Sequence, residues 1–175
     1  MQTTLVMTVI GRDRTGLVET LARFVADHDG NWLESRMCRL GGEFAGLVRV
    51  SAPAEQQAAL SAALQGLQNQ GLSVVVKADS GAPGPAALDL LHLDLVGHDR
   101  PGIVREITAA LAAQGVNVEE LATEVVSAPM SGEGLFQAHA TLSLPPDCDP
   151  AALRHELERI AANLMVDLSL EEPKG

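Results

Sequence analysis

The sequence predicts an α+β protein made of two tandem copies of one β-α-β-β-α-β unit, each with an antiparallel sheet. The segment GRDRTGLV, which begins at Gly11, returns with substitutions as GHDRPGIV, which begins at Gly97. The same offset of 86 residues (97 minus 11) aligns Asn31 with Asn117. An alternating apolar stretch precedes each segment and a helical pattern follows it, so the repeat covers a whole structural unit. The chain of 175 residues is therefore expected to contain two small domains.

In the first copy, hydrophobic periodicity and turn residues define the order of the elements. Alternating apolar residues precede the repeated segment, and apolar residues at helical spacing follow Gly16. The pair Gly41-Gly42 is typical of a tight hairpin between two strands. A helix with a stripe of leucines begins at Pro53 and stops at Gly71. The predicted strands are residues 5–9, 32–40, 44–51 and 72–77.

The second copy repeats this order with a longer hairpin. The leucine stripe of its second helix lies 93 residues after that of the first copy (153 minus 60), and the hairpin at residues 127–134 accounts for the added length. The order of elements is that of the ferredoxin-like fold, in which two helices cover one face of an antiparallel sheet. The predicted strands are residues 88–96, 116–126, 136–144 and 166–170, with helices after Gly102 and after Pro146.

The domain boundaries follow from the two copies. We expect a first domain at residues 1–79, a linker rich in glycine and proline at residues 80–86, and a second domain at residues 87–173. Domains of this size bury a modest fraction of their surface, so the copies should pack on each other or on a second chain. The open sheet face and edge strands of each domain favour a homo-oligomer.

Composition and charge argue against several classes of function. The chain has 12 Lys and Arg residues against 23 Asp and Glu residues, a formal net charge of −11. Direct binding to DNA or RNA is disfavoured because it depends on basic residues that neutralise phosphates, and so is an anionic membrane surface. We find no signal peptide, membrane-spanning stretch, disulfide framework or zinc spacing. We therefore expect a cytoplasmic protein without a metal or cofactor.

The repeated loop is where the sequence is best suited to hold a ligand. Glycine allows a tight backbone and a close approach, and the unpaired N–H groups at the start of the following helix suit a carboxylate. We expect Asp13 and Asp99 to cap these helices and Pro101 to occupy a first-turn position. Asn31 and Asn117, where the first helix passes into the second strand, each offer a donor and an acceptor.

A complete site requires two copies, because the loop and the asparagine lie at opposite ends of the first helix. The loop of one copy would act with the asparagine of another, within one chain or between chains. The alternative is that the loop residues only form turns and caps, and that the arginines are solvated or salt-bridged. The candidate ligand-binding residues are Asp13, Arg14, Thr15, Gly16 and Asn31 in the first copy and Asp99, Arg100, Pro101, Gly102 and Asn117 in the second.

The sequence contains no recognisable catalytic set. His98 beside Asp99 suggests acid–base chemistry, but the first copy has Arg12 at the position of His98, so a shared catalytic role fails. Glu119 is expected to be solvated. We predict that the chain is not an enzyme. The alternatives are an enzyme that uses His98, Asp99 and Glu120, and a structural adaptor that binds no metabolite.

The Asp-Arg-Thr/Pro-Gly loop, the junctions at Asn31 and Asn117 and the β-α-β-β-α-β order resemble the ACT domain, a small regulatory module that senses amino acids. The resemblance covers both halves of the chain. It implies a site for a small amino acid, glycine or similar, between paired domains, formed by the backbone at residues 13–16 and 99–102 with the two asparagines. A chain of two such domains without a catalytic partner resembles transcriptional repressors that act through a DNA-binding activator and do not touch DNA.

Overall fold

The computed structural model describes residues 1–79, 89–127 and 133–172. The chain divides into two compact units, Met1–Gly84 and Pro85–Gly175. Each unit contains four strands and two α-helices in the order that the sequence predicts. The elements of the first unit are β1 (Gln2–Arg12), α1 (Leu17–Ala26), β2 (Asn31–Leu40), β3 (Glu43–Pro53), α2 (Gln57–Gly66) and β4 (Leu72–Ala78).

The second unit has the same architecture. Its elements are β5 (Asp89–His98), α3 (Ile103–Ala113), β6 (Asn117–Ser127), β7 (Gly134–Leu144), α4 (Pro150–Leu164) and β8 (Val166–Glu171). The strand order is β2-β3-β1-β4 in the first sheet and β6-β7-β5-β8 in the second, and all neighbouring strands are antiparallel. The predicted fold class, two tandem ferredoxin-like α+β units, is confirmed.

The core of each unit forms where apolar residues of the sheet meet the apolar stripes of the two helices. Every second residue of β1 from Leu5 to Val9 is buried, as the alternating pattern predicts. The predicted leucine stripe is also buried, at Leu60 and Leu64 of α2 and at Leu67 beyond its end. The second unit buries the matching residues of β5 and α4, namely Leu91, Leu93, Leu95, Leu153 and Leu157.

The second helix of each unit begins later than predicted. In the first unit, residues Ala54–Gln56 form a 3-10 turn after Pro53, so α2 begins only at Gln57. In the second unit, Asp149 caps α4 by accepting a hydrogen bond of 2.9 Å from the Ala151 N–H. Proline fits the next position because its missing N–H needs no partner there. The sequence carries this start signal as Asp149-Pro150, at most four residues after Pro146.

Two predictions concern residues outside the described ranges. The linker predicted at residues 80–86 lies entirely outside them, and so does most of the predicted hairpin at residues 127–134. Across residues 1–79, 89–127 and 133–172, none of the helices combines the length and apolar character that crossing a bilayer would require.

The residue before the last strand has a left-handed backbone in both units. It is Gly71 in the first unit, with φ 79°, and Met165 in the second, with φ 53°. Left-handed backbone favours glycine, because a Cβ there crowds the following carbonyl oxygen. The Met165 side chain is 72% exposed and gains little from packing. At this position the second unit therefore carries local backbone strain that the first unit avoids.

The Met165→Gly variant is expected to be more stable than the parent protein by roughly 0.5–1 kcal/mol. Removal of the Cβ relieves about 1–2 kcal/mol of strain, and the greater freedom of glycine in the unfolded chain cancels part of this gain. Denaturant unfolding followed by circular dichroism measures the difference. Gly71→Ala is the matched opposite change and should destabilise the protein. A loss of stability in the Met165→Gly variant would contradict the strain argument.

Candidate functional site

Each repeated loop leads from the first strand of its unit into the first helix. Gly16 and Gly102 stand directly before α1 and α3, with φ angles of 90° and 99°. A Cβ would be strained in this region of backbone conformation, so the shape of the turn requires glycine. The carbonyl oxygens of the two glycines accept the first helical hydrogen bonds, 2.9 Å from the Thr20 nitrogen and 3.0 Å from the Glu106 nitrogen.

The first glycine of each motif is required by close packing. Gly11 and Gly97 lie inside β1 and β5, next to the start of the last strand of the unit. A Cβ at Gly11 would stand 2.5 Å from the Gly71 carbonyl oxygen, and a Cβ at Gly97 would stand 2.5 Å from Cγ1 of Val166. These two glycines therefore serve the packing of the sheet rather than the approach of a ligand.

The prediction that Asp13 and Asp99 cap the helices is wrong. Neither helix has a side-chain hydrogen bond at its N-cap, because the left-handed glycine further along the loop occupies that position. The backbone N–H of each aspartate donates instead to the hairpin of its own unit, 2.9 Å to the carbonyl oxygen of Gly42 or of Gly134. The Asp13 carboxylate also pairs with Arg39, with 2.6 Å between Oδ2 and Nε.

The prediction for Pro101 is also wrong. The residue lies in the turn ahead of Gly102, and α3 begins only at Ile103, so Pro101 is outside the first helical turn. Thr15 is the corresponding residue of the first unit, and both side chains are exposed. The difference arises because the helix starts after the motif glycine and not before it.

The two motif arginines connect the loop to the last helical residues before the final strand, which are a 3-10 turn at Leu67–Gln70 in the first unit and the end of α4 in the second. Nη2 of Arg14 donates to the carbonyl oxygen of Gln70 at 3.2 Å, and Nη2 of Arg100 donates to that of Asn163 at 2.8 Å. The last carbonyls of a helix lack partners within it and carry partial negative charge, so a guanidinium stabilises them. Each arginine thus has a structural partner in its own unit, and its predicted contact with a ligand stays a prediction.

The two predicted asparagines occupy matching places in the sheets. Asn31 begins β2 and Asn117 begins β6, and both residues are exposed. In the sheet register Asn31 pairs with Ser51 and Asn117 pairs with Ser143. A β-bulge follows two positions later in each strand, between residues 32 and 34 and between residues 118 and 120. The bulge adds one unpaired residue two positions after each asparagine, which is Leu33 in the first unit and Glu119 in the second.

In the second unit the bulge places a carboxylate against the asparagine. Oε1 of Glu119 accepts hydrogen bonds from Nδ2 of Asn117 at 2.7 Å and from Oγ of Ser143 at 2.5 Å. The hydrogen bond from Ser143, followed by that from Asn117, lowers the pKa of the Glu119 carboxyl. Glu119 is exposed as expected, but it is bound to two neighbours. The sequence repeat gave no signal for it, because the first copy has Leu33 at this position.

Each unit separates its loop from its asparagine. The ten residues of α1 span about 15 Å, and this helix lies between Gly16 and Asn31. A small ligand cannot bridge that distance inside one unit. The arrangement therefore offers two half-sites per unit, one of backbone N–H groups at a helix start and one of polar side chains beside the bulge.

A small apolar cavity of about 20 Å³ lies in the second unit, away from these polar groups. It is lined by residues of α3 and of the sheet, including Val104, Val118 and Phe136. In the first unit the position of Val118 is taken by Trp32, whose larger side chain packs against the core. The cavity has about the volume that one water molecule needs but no polar lining, so it is a gap in the apolar packing of the second unit.

His98, which the enzymatic alternative uses, lies in an exposed ion pair. Nδ1 of His98 lies 3.4 Å from Oε2 of Glu133, and both side chains are exposed. In the part of the chain that the structure describes, no three His, Cys, Asp or Glu residues are grouped so that they could hold a metal ion. An exposed ion pair of this kind shows none of the burial that tunes acid–base groups for catalysis.

Comparison with known families accounts for the duplicated architecture. The ACT domain family matches residues 3–77 and 89–171, that is, both units. The chain therefore belongs to the ACT domain family and contains two of its domains. From here on, the unit that contains β1–β4 is the first ACT domain and the unit that contains β5–β8 is the second.

Similar proteins match this chain over nearly its whole length. The glycine cleavage system transcriptional repressor of Escherichia coli (strain K12) is 26% identical over 91% of this chain and 85% of its own length. The crystal structure of an unknown protein from Galdieria sulphuraria has a TM-score of 0.84 and 32% identity over 99% of this chain and all of that chain. A crystal structure provisionally named a glycine cleavage system transcriptional repressor has a TM-score of 0.74 over 100% of this chain and 99% of that chain, at 22% identity. Family and relatives together support a regulatory role.

The carboxyl of Glu119 is expected to titrate below the pH at which an unperturbed glutamate does, and Ser143→Ala should raise its pKa. Because the folded-state pKa is lowered, the Glu119 carboxylate stabilises the fold above the unfolded-state pKa, and this contribution disappears as the pH falls through the folded value. Carbon-13 NMR of the side-chain carboxyl follows the titration directly. Ser51→Ala is the matched control in the first domain and should leave this pKa unchanged. A Ser143→Ala variant with an unaltered Glu119 titration would show that the hydrogen bond is not formed.

Proposed function

We propose that this protein is an amino-acid-responsive regulator of transcription, and that it acts as a glycine cleavage system transcriptional repressor through a DNA-binding activator. The observation that carries the proposal is the duplicated pair of half-sites, a helix start with free N–H groups and an asparagine at the far end of the helix. The similarity of this protein to the Escherichia coli repressor extends over 91% of the chain, so the similarity concerns both domains and not one module.

The proposed ligand is a small amino acid such as glycine. Its carboxylate would lie at the helix start after Gly16 or Gly102, where the first N–H groups have no helical partner. Its remaining polar groups would meet Asn31 or Asn117 of a neighbouring ACT domain. This requires two paired domains, within one chain or between the chains of a homo-oligomer, because the two half-sites of one domain are about a helix length apart.

The charge of the chain supports regulation without direct contact to DNA. With a formal net charge of −11, the protein would be repelled by phosphates unless a basic patch compensated. A protein partner that binds DNA avoids this difficulty. An amino acid can control such a complex if it binds the partner-free and partner-bound states with different affinity, and the partner then changes the affinity for the amino acid by the same factor.

Isothermal titration calorimetry with a panel of amino acids, glycine and serine included, tests the ligand. Asn31→Ala and Asn117→Ala should each weaken binding at one class of site by roughly tenfold or more, because each removes a hydrogen bond to a charged ligand. Asn69→Ala is the matched control, since Asn69 is exposed and lies outside both half-sites. Absence of binding by every amino acid in the panel would rule out the sensor.

A pull-down from cell extract with and without glycine tests the partner. We expect a DNA-binding protein to be captured, with a yield that changes when glycine is added. The purified chain alone should not shift a DNA fragment in an electrophoretic mobility assay. Capture of a partner with a yield that no amino acid changes would favour a structural adaptor over a metabolite sensor.

A further inference from the structure

The contacts of Glu119 determine which way the Asn117 side chain is turned. An ionised carboxylate accepts hydrogen bonds and cannot donate them, so the atom of Asn117 that faces Glu119 must be the nitrogen Nδ2. The distance of 2.7 Å between Nδ2 of Asn117 and Oε1 of Glu119 agrees with this assignment. The carbonyl oxygen Oδ1 of Asn117 is therefore left as the free hydrogen-bonding atom of the amide. The second domain presents an acceptor at this place.

Ser143 makes this arrangement rigid. It is a buried polar residue with 2% of its surface exposed, and its hydroxyl donates to the same Glu119 oxygen at 2.5 Å. A buried hydroxyl without a partner would be costly, so the contact anchors the carboxylate from inside the sheet. The second carboxylate oxygen of Glu119, Oε2, is not used by Asn117 or Ser143 in these contacts.

The first domain has the same asparagine and the same serine but no carboxylate between them. Leu33 takes the place of Glu119 at the bulge and is 45% exposed. Within the described part of the chain, no side-chain hydrogen bond fixes Asn31, so its amide is able to turn either its oxygen or its nitrogen toward a ligand. The two domains thus differ in charge and in amide orientation at otherwise equivalent positions.

We propose that Glu119 makes the asparagine half-site of the second ACT domain selective for a cationic amine, such as the α-ammonium group of an amino acid, and that the first domain lacks this selectivity. The ammonium group would donate to Oδ1 of Asn117 and to the free oxygen of Glu119. This inference rests on the proposed function, because it assigns one part of the ligand to one half-site. Charge-assisted hydrogen bonds of this type are stronger than neutral ones.

The test uses the full chain and the side-chain amide signals of Asn31 and Asn117 in nitrogen-15 NMR spectra, which report each domain separately. Glycine is titrated as the zwitterion, methylammonium as the amine alone and acetate as the carboxylate alone. In the parent protein, glycine and methylammonium should move the Asn117 signal, and acetate should not. Glu119→Gln keeps an acceptor for Asn117 and Ser143 but removes the charge, and should weaken the effect of glycine at Asn117 by about five- to tenfold.

The two domains supply their own controls. Leu33→Glu should introduce a response to methylammonium at Asn31, and Glu158→Gln, on the exposed surface of α4, should change neither signal. If the parent protein and the Glu119→Gln variant bind glycine equally, and the Asn117 signal responds equally in both, the proposed selectivity is wrong. The proposed function would remain intact. No response to any amino acid at either asparagine would overturn the proposed function, and this inference with it.

Discussion

The turn between the first strand and the first helix holds the other elements of each ACT domain in place. Its first glycine lets the last strand come close, and the N–H of its aspartate binds the hairpin carbonyl. Its arginine binds a carbonyl oxygen of the last helical residues before the final strand, and its last glycine starts the first helix. The residues with these four roles are Gly11, Asp13, Arg14 and Gly16 in the first domain and Gly97, Asp99, Arg100 and Gly102 in the second. One short segment thus connects all parts of the unit.

These structural roles change how the repeated motif relates to ligand binding. The motif would recur with the same spacing even if it met no ligand, because strand, hairpin and helix contacts all depend on it. The groups that we propose for recognition are the backbone N–H groups at the helix start and the asparagine beside the bulge. The side chains of Asp13, Arg14 and Arg100 already have partners within the domain. A ligand that contacts them would compete with those partners.

The two domains share a backbone but differ where a ligand or a partner would meet them. Glu119 replaces Leu33 beside the asparagine, and Val118 replaces Trp32 next to the apolar core. The Asp13–Arg39 ion pair belongs to the first domain, while position 125, which matches Arg39 in the repeat, is valine. Exposed ion pairs contribute little to stability, so such differences alter the surface far more than the fold. Duplicated domains with unequal surfaces are able to take different tasks.

The sequence by itself determined the two copies, the order of their elements, the hairpin at Gly41-Gly42 and the buried leucine stripes. These features are local. The period of two residues in strands, the period of 3.6 residues in helices and the turn conformations that require glycine all depend on residues close together in the sequence. The tertiary structure decided the partners of the loop. The sequence alone does not distinguish an aspartate that caps the helix from a glycine that begins it. In the structure, the N–H of the aspartate donates to the hairpin carbonyl oxygen. The position of Glu119 beside Asn117 depends on a β-bulge and on a serine of the next strand, contacts between distant residues that no local pattern encodes.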